Sequence, residues 1–319
     1  MREICNFVVK NKIQNKINYG KKEHRGKALH YADAKLAMLI GTGWLLVSSV
    51  CLIAKLDSCM EKLEKASRKW WFFVILLAAQ SVLLPIVSRN FDPQNVPGMV
   101  SVTLGNAIQN HLGSLNILFQ SLFVLMIVLL LVFKNKVRTL FNAYVAVSYT
   151  AFAFIQNIAV TERYGFSVVT VNFAMFLFVA YVWIRETLRP ENSYEFKPFQ
   201  WKYVWMIVLA LFAFYCPFTN HGEMDWSLVH FFTRNTATAF CLTTPLFLTI
   251  LTLNLPNVNI VTYRITAIIG VIIGLYNMMN FFNPHTVFLG VVHLPLLIIS
   301  LYSAILSYGI KRKAVRGGR

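Results

Sequence analysis

The sequence predicts an all-α membrane protein: a polytopic helix bundle with eight transmembrane helices, one further apolar segment near the N-terminus, and two parallel four-helix repeats. Three observations predict it. The 319 residues are 57% hydrophobic and 13% charged, against about 45–50% apolar and about 25% charged in soluble domains. Charge-free runs long enough to cross hydrocarbon recur along the chain, since a helix rising about 1.5 Å per residue needs roughly 20 residues to span about 30 Å. Lys and Arg concentrate in alternate gaps between those runs, the distribution that sets topology.

Residues 1–35 read as a basic tail of the cytoplasmic type with nine Lys/Arg, and residues 36–69 hold the apolar segment Leu36–Ala54 and a basic linker. The first apolar run starts too late for a cleaved signal peptide, and no lipidation box is expected. The next spans are Trp70–Ser88, Leu112–Phe133, Thr139–Thr161, Tyr164–Ile184, Tyr203–Asn220 and Asn235–Tyr263. The charge-free stretch Ile265–Ile310 is too long for one helix and divides at Asn283-Pro284, because proline disfavours a helical residue before it.

Grouped by their connections, these segments form a repeat over 70–189, a linker over 190–200, a second repeat over 201–313 and a basic tail over 314–319. Each unit reads as an aromatic-led helix meeting a proline (Pro85, Pro217), a long polar loop, a helix, a tight turn (Lys134–Arg138, 254–259) and two more helices. Four helices per unit leave both units in one orientation, with the pseudo-twofold axis along the membrane normal. One set of connections carries eighteen Lys/Arg and the other only Arg89, Arg163 and Arg234. The C-terminus is therefore expected in the cytoplasm of a cell (plasma) membrane protein. The N-terminal tail conflicts with this, because a spanning Leu36–Ala54 would place nine basic residues outside; a re-entrant or in-plane segment removes the conflict.

The net charge of +17 fits attraction to anionic lipids on the cytoplasmic face. No nucleic-acid partner is expected, since the basic residues lie between spans and not on a soluble motif; protein partners are not legible. Cys5, Cys51, Cys59, Cys216 and Cys241 form no CxxC and give no disulfide framework. No Walker loop, GxSxG, HExxH or GxGxxG occurs, which removes the familiar signatures of ATP-driven pumps, serine hydrolases, metalloproteases and dinucleotide enzymes. No Asp or Glu falls inside a predicted span, which weighs against a carboxylate-driven antiporter.

Polar groups at membrane depth need partners and mark the first places to look for function. Asn157 and Asn277 occupy matched positions in the third helix of each unit, and Asn172 and His293 in the fourth. They are the candidate lining of a midplane cavity, the bland alternative being helix-to-helix hydrogen bonds, Asn280 included. Haem between His111 and His293 is not expected, because the two lie at different depths. Arg234 and Arg264, at helix mouths, are candidate anion or headgroup contacts. The loop residues His221, Glu223 and Asp225, with His230, have metal-ligand chemistry but match no fixed ligand motif; no metal and no other cofactor is expected. Pro245 after Thr243-Thr244 should kink its helix, the threonines re-satisfying freed carbonyls. These features favour a small-solute permease or carrier. A sensor, assembly factor or complex subunit without catalysis is the alternative, and a membrane-embedded enzyme on a lipid-linked substrate the second.

Overall fold

The computed structural model describes residues 58–196, 200–219 and 222–310. The segment Leu36–Ala54, both basic tails and His221 lie outside the described residues. After a helix over 58–67, ten helices follow: α1 (Trp70–Val82), α2 (Val96–Gly105), α3 (Leu115–Phe133), α4 (Arg138–Asn157), α5 (Thr170–Leu188), α6 (Val204–Tyr215), α7 (Leu228–Thr233), α8 (Phe240–Leu253), α9 (Ile260–Asn277) and α10 (Val287–Gly309). Four helical runs are long and apolar enough to cross a membrane: Leu115–Asn157, Thr170–Leu188, Ile260–Phe282 and Val287–Gly309. A fifth is reached if the bent pair Leu228–Thr238 and Phe240–Leu253 counts as one span.

The first of these runs holds 43 residues, and a straight helix of that length would measure about 64 Å, twice the hydrocarbon thickness. The chain solves this by breaking at Lys134, where φ is 50°. Phe123 on α3 and Tyr144 on α4 then meet with ring centroids 6.1 Å apart. Since 21 residues of unbroken helix would separate them by about 31 Å, α3 and α4 double back on each other. The break at Asn283-Pro284 likewise separates α9 and its terminal 3-10 turn (Met278–Phe282) from α10.

Other expected spans are shorter in the structure. Helix α1 has 13 residues and α6 has 12, or about 20 and 18 Å at the usual rise. Both stop before a proline, which lacks the N–H that the next helical bond requires. Cys216 leaves α6 in a left-handed conformation. Within the Asn235–Tyr263 run α8 takes only 14 residues, for the reason given below, and Ile260–Tyr263 already belong to α9.

A purely helical fold is also corrected. β1 (Ile86–Val87), β2 (Ile158–Thr161) and β3 (Gly165–Val168) form a three-stranded antiparallel sheet in the order β1-β3-β2. Ile86 pairs with Val168, and the β2–β3 hairpin registers Ile158 with Val168 and Thr161 with Gly165. β-Branched residues suit the extended ladder, and Gly165 takes the positive φ of 65° at the turn. The expected short loop between α4 and α5 is thus a hairpin, and both expected helices lose their ends to it.

The burial pattern divides the helices into a centre and a shell. Helix α8 is buried from Phe240 to Thr252, and α9 from Ile260 to Gly274, as expected of helices that are apolar all round and packed on every side. Around Phe247 of α8 gather Phe123, Phe141, Tyr149 and Trp183, with ring centroids 5.6–6.4 Å away. Helix α3 belongs to the shell: it buries only Gln120, Phe123, Met126 and Leu130, a single stripe at helical spacing. Its remaining face leaves Leu118, Leu125, Val128, Leu131 and Val132 exposed. An apolar exposed face of that extent is compatible with lipid contact. On α9, a Cβ added to Gly274 would stand 3.0 Å from the Leu297 Cα, so α9 and α10 approach at backbone distance in the manner of small-residue membrane seams.

Candidate functional site

The bent pair places an interruption inside the protein. Ser227 caps α7 by accepting from the His230 amide. The chain then passes through Arg234 in extended conformation, a 3-10 turn over Thr236–Thr238 and an extended Ala239 before α8 begins. The axes on either side differ by 86°, and Thr236, Ala237, Thr238 and Ala239 are all buried. Irregular backbone at membrane depth must find partners for amides that a helix would have paired.

Two glutamines from other helices supply them. Gln120 Oε1 on α3 accepts from Thr236 Oγ1 at 2.9 Å and from the Ala237 amide at 3.1 Å. Gln156 Oε1 on α4 accepts from the Phe240 amide, the first of α8, at 3.0 Å. Further amides ring the break: Asn235 Nδ2 donates to Asn110 Oδ1 at 2.9 Å, and Asn116 Nδ2 to the Thr233 carbonyl at 3.2 Å. Three buried atoms of this layer have no protein partner, Asn116 Oδ1, Gln120 Nε2 and Asn157 Oδ1. Below the break, Phe240 stacks on Phe176 with centroids 4.2 Å apart, and Tyr149 bonds Thr244 Oγ1 at 3.1 Å, just before Pro245. The arrangement offers amide donors and acceptors above an aromatic floor, which suits a polar, uncharged group better than an ion.

The residues singled out from the sequence are dispersed around this layer. Asn157 ends α4 and returns its Nδ2 to the Phe152 and Ala153 carbonyls at 3.1 and 3.3 Å. Asn277, the last residue of α9, donates to the Ile273 carbonyl at 2.8 Å and faces Cys241 Sγ, near the start of α8, at 3.9 Å. Asn172, in the first turn of α5, accepts from Gln80 Nε2 at 3.0 Å. His293 Nδ1 lies 2.5 Å from the Leu289 carbonyl of its own helix, and Asn280 donates to the Asn277 carbonyl. Asn157, Asn172 and Asn277 therefore sit at helix ends. Gln80, Gln120 and Gln156 were missed because one amide in an apolar run reads as an ordinary helical residue; the spacing of Gln120 within the buried stripe of α3 was the available signal.

The charged candidates are occupied. The Arg234 guanidinium donates to the carbonyls of Cys216 and Phe218 and pins the 216–234 loop against the break. Burial raises the Cys216 thiol above its ordinary range, with the Phe218 amide and Arg234 acting against the shift. Arg264 is fully buried, among protein groups. It donates to Ser307 Oγ at 3.2 Å, the Ser307 carbonyl at 2.7 Å and Ser67 Oγ at 3.3 Å, beneath the Tyr308 ring. In the loop, His230 pairs with Asp225, whereas no three His, Cys, Asp or Glu groups gather among the described residues.

A second polar cluster at the other end of the bundle centres on Glu186, in the last turn of α5. The helix runs four residues past the apolar segment expected to end at Ile184, so a carboxylate lies within one of the four membrane-length helices. Glu186 Oε1 accepts the Glu191 and Asn192 amides, each at 2.6 Å, and Oε2 accepts Asn259 Nδ2 at 2.8 Å. Asn192 Oδ1 takes the Asn259 amide at 2.7 Å, and Asn192 Nδ2 reaches Tyr194 Oη at 3.2 Å. Tyr194 donates to Asn142 Oδ1 at 2.6 Å, and its phenol is held well above the ordinary range by burial and by nearby Glu186. This network ties α4, α5, the linker and the 254–259 turn into one rigid end. Comparison with protein-family models, curated proteins and solved structures finds no match, so geometry alone carries the functional reading.

Proposed function

We propose that the chain is a small-solute permease or carrier of a cell membrane, with the α7–α8 break as its binding region. The observation that carries this reading is the buried 86° interruption whose amides are capped by side chains from α3 and α4. Interrupted helices are where membrane carriers hold solutes, because unwound backbone offers polar groups that a continuous helix hides. The proline inside α8 and another inside α10 add two weakened ladders beside it.

In this reading the chain crosses the membrane eight times in two parallel repeats, with its basic end and C-terminus in the cytoplasm. Support for duplication comes from element order: two shorter helices and then three longer ones occur as α1–α5 and again as α6–α10. The packing of the halves differs, since α8 is central where its counterpart α3 faces lipid.

The alternative, a subunit or sensor, draws support from Asn172, Asn277, Asn280 and His293, whose bonds go to their own or adjoining helices. The enzyme reading has less support, because Arg234 and Arg264 are both occupied by protein groups.

Single cysteines at Gln120, Asn157 and Thr236 in a Cys-free background, reconstituted in vesicles, test the proposal. A small membrane-impermeant thiol reagent should label them from one side or the other, and a transported solute should slow that labelling. Complete protection from both sides removes the carrier reading and leaves the subunit.

A further inference from the structure

At the basic end of the bundle, where α3 breaks into α4, a recess of about 390 Å³ is lined by Val132, Phe133, Lys134, Asn135, Lys136 and Glu195. We propose that it is a binding site for the phosphodiester headgroup of an anionic phospholipid, with an acyl chain lying along the exposed face of α3. Neither the Lys134 nor the Lys136 ammonium has a hydrogen-bond or ion-pair partner among the described residues. Two cations side by side at a membrane rim repel each other and attract an anion. The one carboxylate of the recess, Glu195, is engaged by Asn135 Nδ2 at 2.9 Å; it leaves the recess one positive charge, which a phosphodiester neutralises.

The walls are built, not accidental. Asn135 Oδ1 accepts the Tyr194 amide at 2.6 Å and its Nδ2 donates to Ser193 Oγ at 3.0 Å, so the 193–195 segment is fastened to the turn. Lys134 holds a φ of 50° and ψ of −126°, a backbone conformation that side chains of L-residues seldom adopt. Such outliers persist where surrounding structure enforces them and gather at ligand sites.

The hydrocarbon-facing side distinguishes a lipid from a free phosphate. Val132 and Phe133 are 63% and 46% exposed, and Val128 and Leu125 continue the same face of α3 at 48% and 50%. A free ion has no use for that face, whereas an acyl chain below a bound headgroup covers it.

The test uses the full chain in nanodiscs of neutral phosphatidylcholine, with phosphatidylglycerol titrated in and bound lipid counted by native mass spectrometry after gentle release. Tight, saturable binding of one phosphatidylglycerol is expected, with weakening of about thirtyfold in Lys134→Gln/Lys136→Gln, or about fivefold for each lysine. Lys62→Gln/Lys65→Gln, which removes two exposed lysines elsewhere, should leave binding unchanged. Lys134→Gly relieves the backbone and should keep or raise the melting temperature while losing the same fivefold, which separates a binding role from a folding one. Equal loss in the Lys62/Lys65 variant would mean general surface charge and would overturn the site. Displacement of the bound phosphatidylglycerol by millimolar inorganic phosphate would overturn the lipid assignment, as would unchanged affinity in the double variant.

Discussion

Replacing Glu186 tests whether the rigid end of the bundle depends on a carboxylate. In Glu186→Gln one oxygen can still accept the Glu191 and Asn192 amides, but the new Nε2 then faces Asn259 Nδ2, donor against donor. Asn259 cannot turn its amide to adapt, because its Oδ1 already accepts the Val261 and Thr262 amides that cap α9. The substitution therefore loses one hydrogen bond to a charged acceptor, about 1.5–3 kcal/mol. Glu186→Ala strands three donors and removes the carboxylate 3.7 Å from Arg185, for about 3–5 kcal/mol, the usual result of breaking a buried pair. At about 2–4 °C per kcal/mol in a domain of this size, thermal unfolding in detergent should fall by roughly 3–12 °C for Gln and more for Ala. A double-mutant cycle with Asn259→Ala should return a coupling energy of about 0.5–3 kcal/mol. If Glu186→Gln melts with the parent, or if the cycle shows no coupling, the two oxygens are not held by fixed donors and the network does not lock the bundle.

Gly274→Leu should destabilise by about 1–3 kcal/mol in the same assay, since the added side chain meets the Leu297 backbone; a neutral result would contradict the close approach of α9 and α10. Gln120→Leu leaves the buried Thr236 hydroxyl and Ala237 amide without their acceptor, at about 1–3 kcal/mol each, and a variant as stable as the parent would show that Gln120 does not hold the break. With Cys5, Cys51 and Cys241 replaced, maleimide should modify exposed Cys59 well before Cys216. Burial raises the Cys216 thiol, so its thiolate fraction at neutral pH is smaller, and its rate should recover on raising pH or adding denaturant; labelling at the Cys59 rate near pH 7 would refute the buried placement.

The sequence by itself determined the solvent. Its apolar runs are long enough to cross a membrane, its prolines at 85, 217 and 284 marked real interruptions, and its basic connections grouped at one end. These are properties of residues taken singly or with close neighbours, and hydropathy sums them without knowledge of the fold. The hairpin Ile158–Thr161 with Gly165–Val168 escaped because β-branched apolar residues satisfy a span and a strand equally until a third strand, Ile86–Val87, arrives to pair. The interruption before α8 escaped for a related reason: nothing in the run from Asn235 onward forbids a helix, and only Gln120 and Gln156, 117 and 84 residues from the amides they cap, make the unwound form affordable. Glu186 looked like the charged border of a span until Asn259, 73 residues away, supplied its donor. Tertiary structure alone decided which polar groups are partnered, because a hydrogen bond belongs to two residues that the chain brings together only by folding.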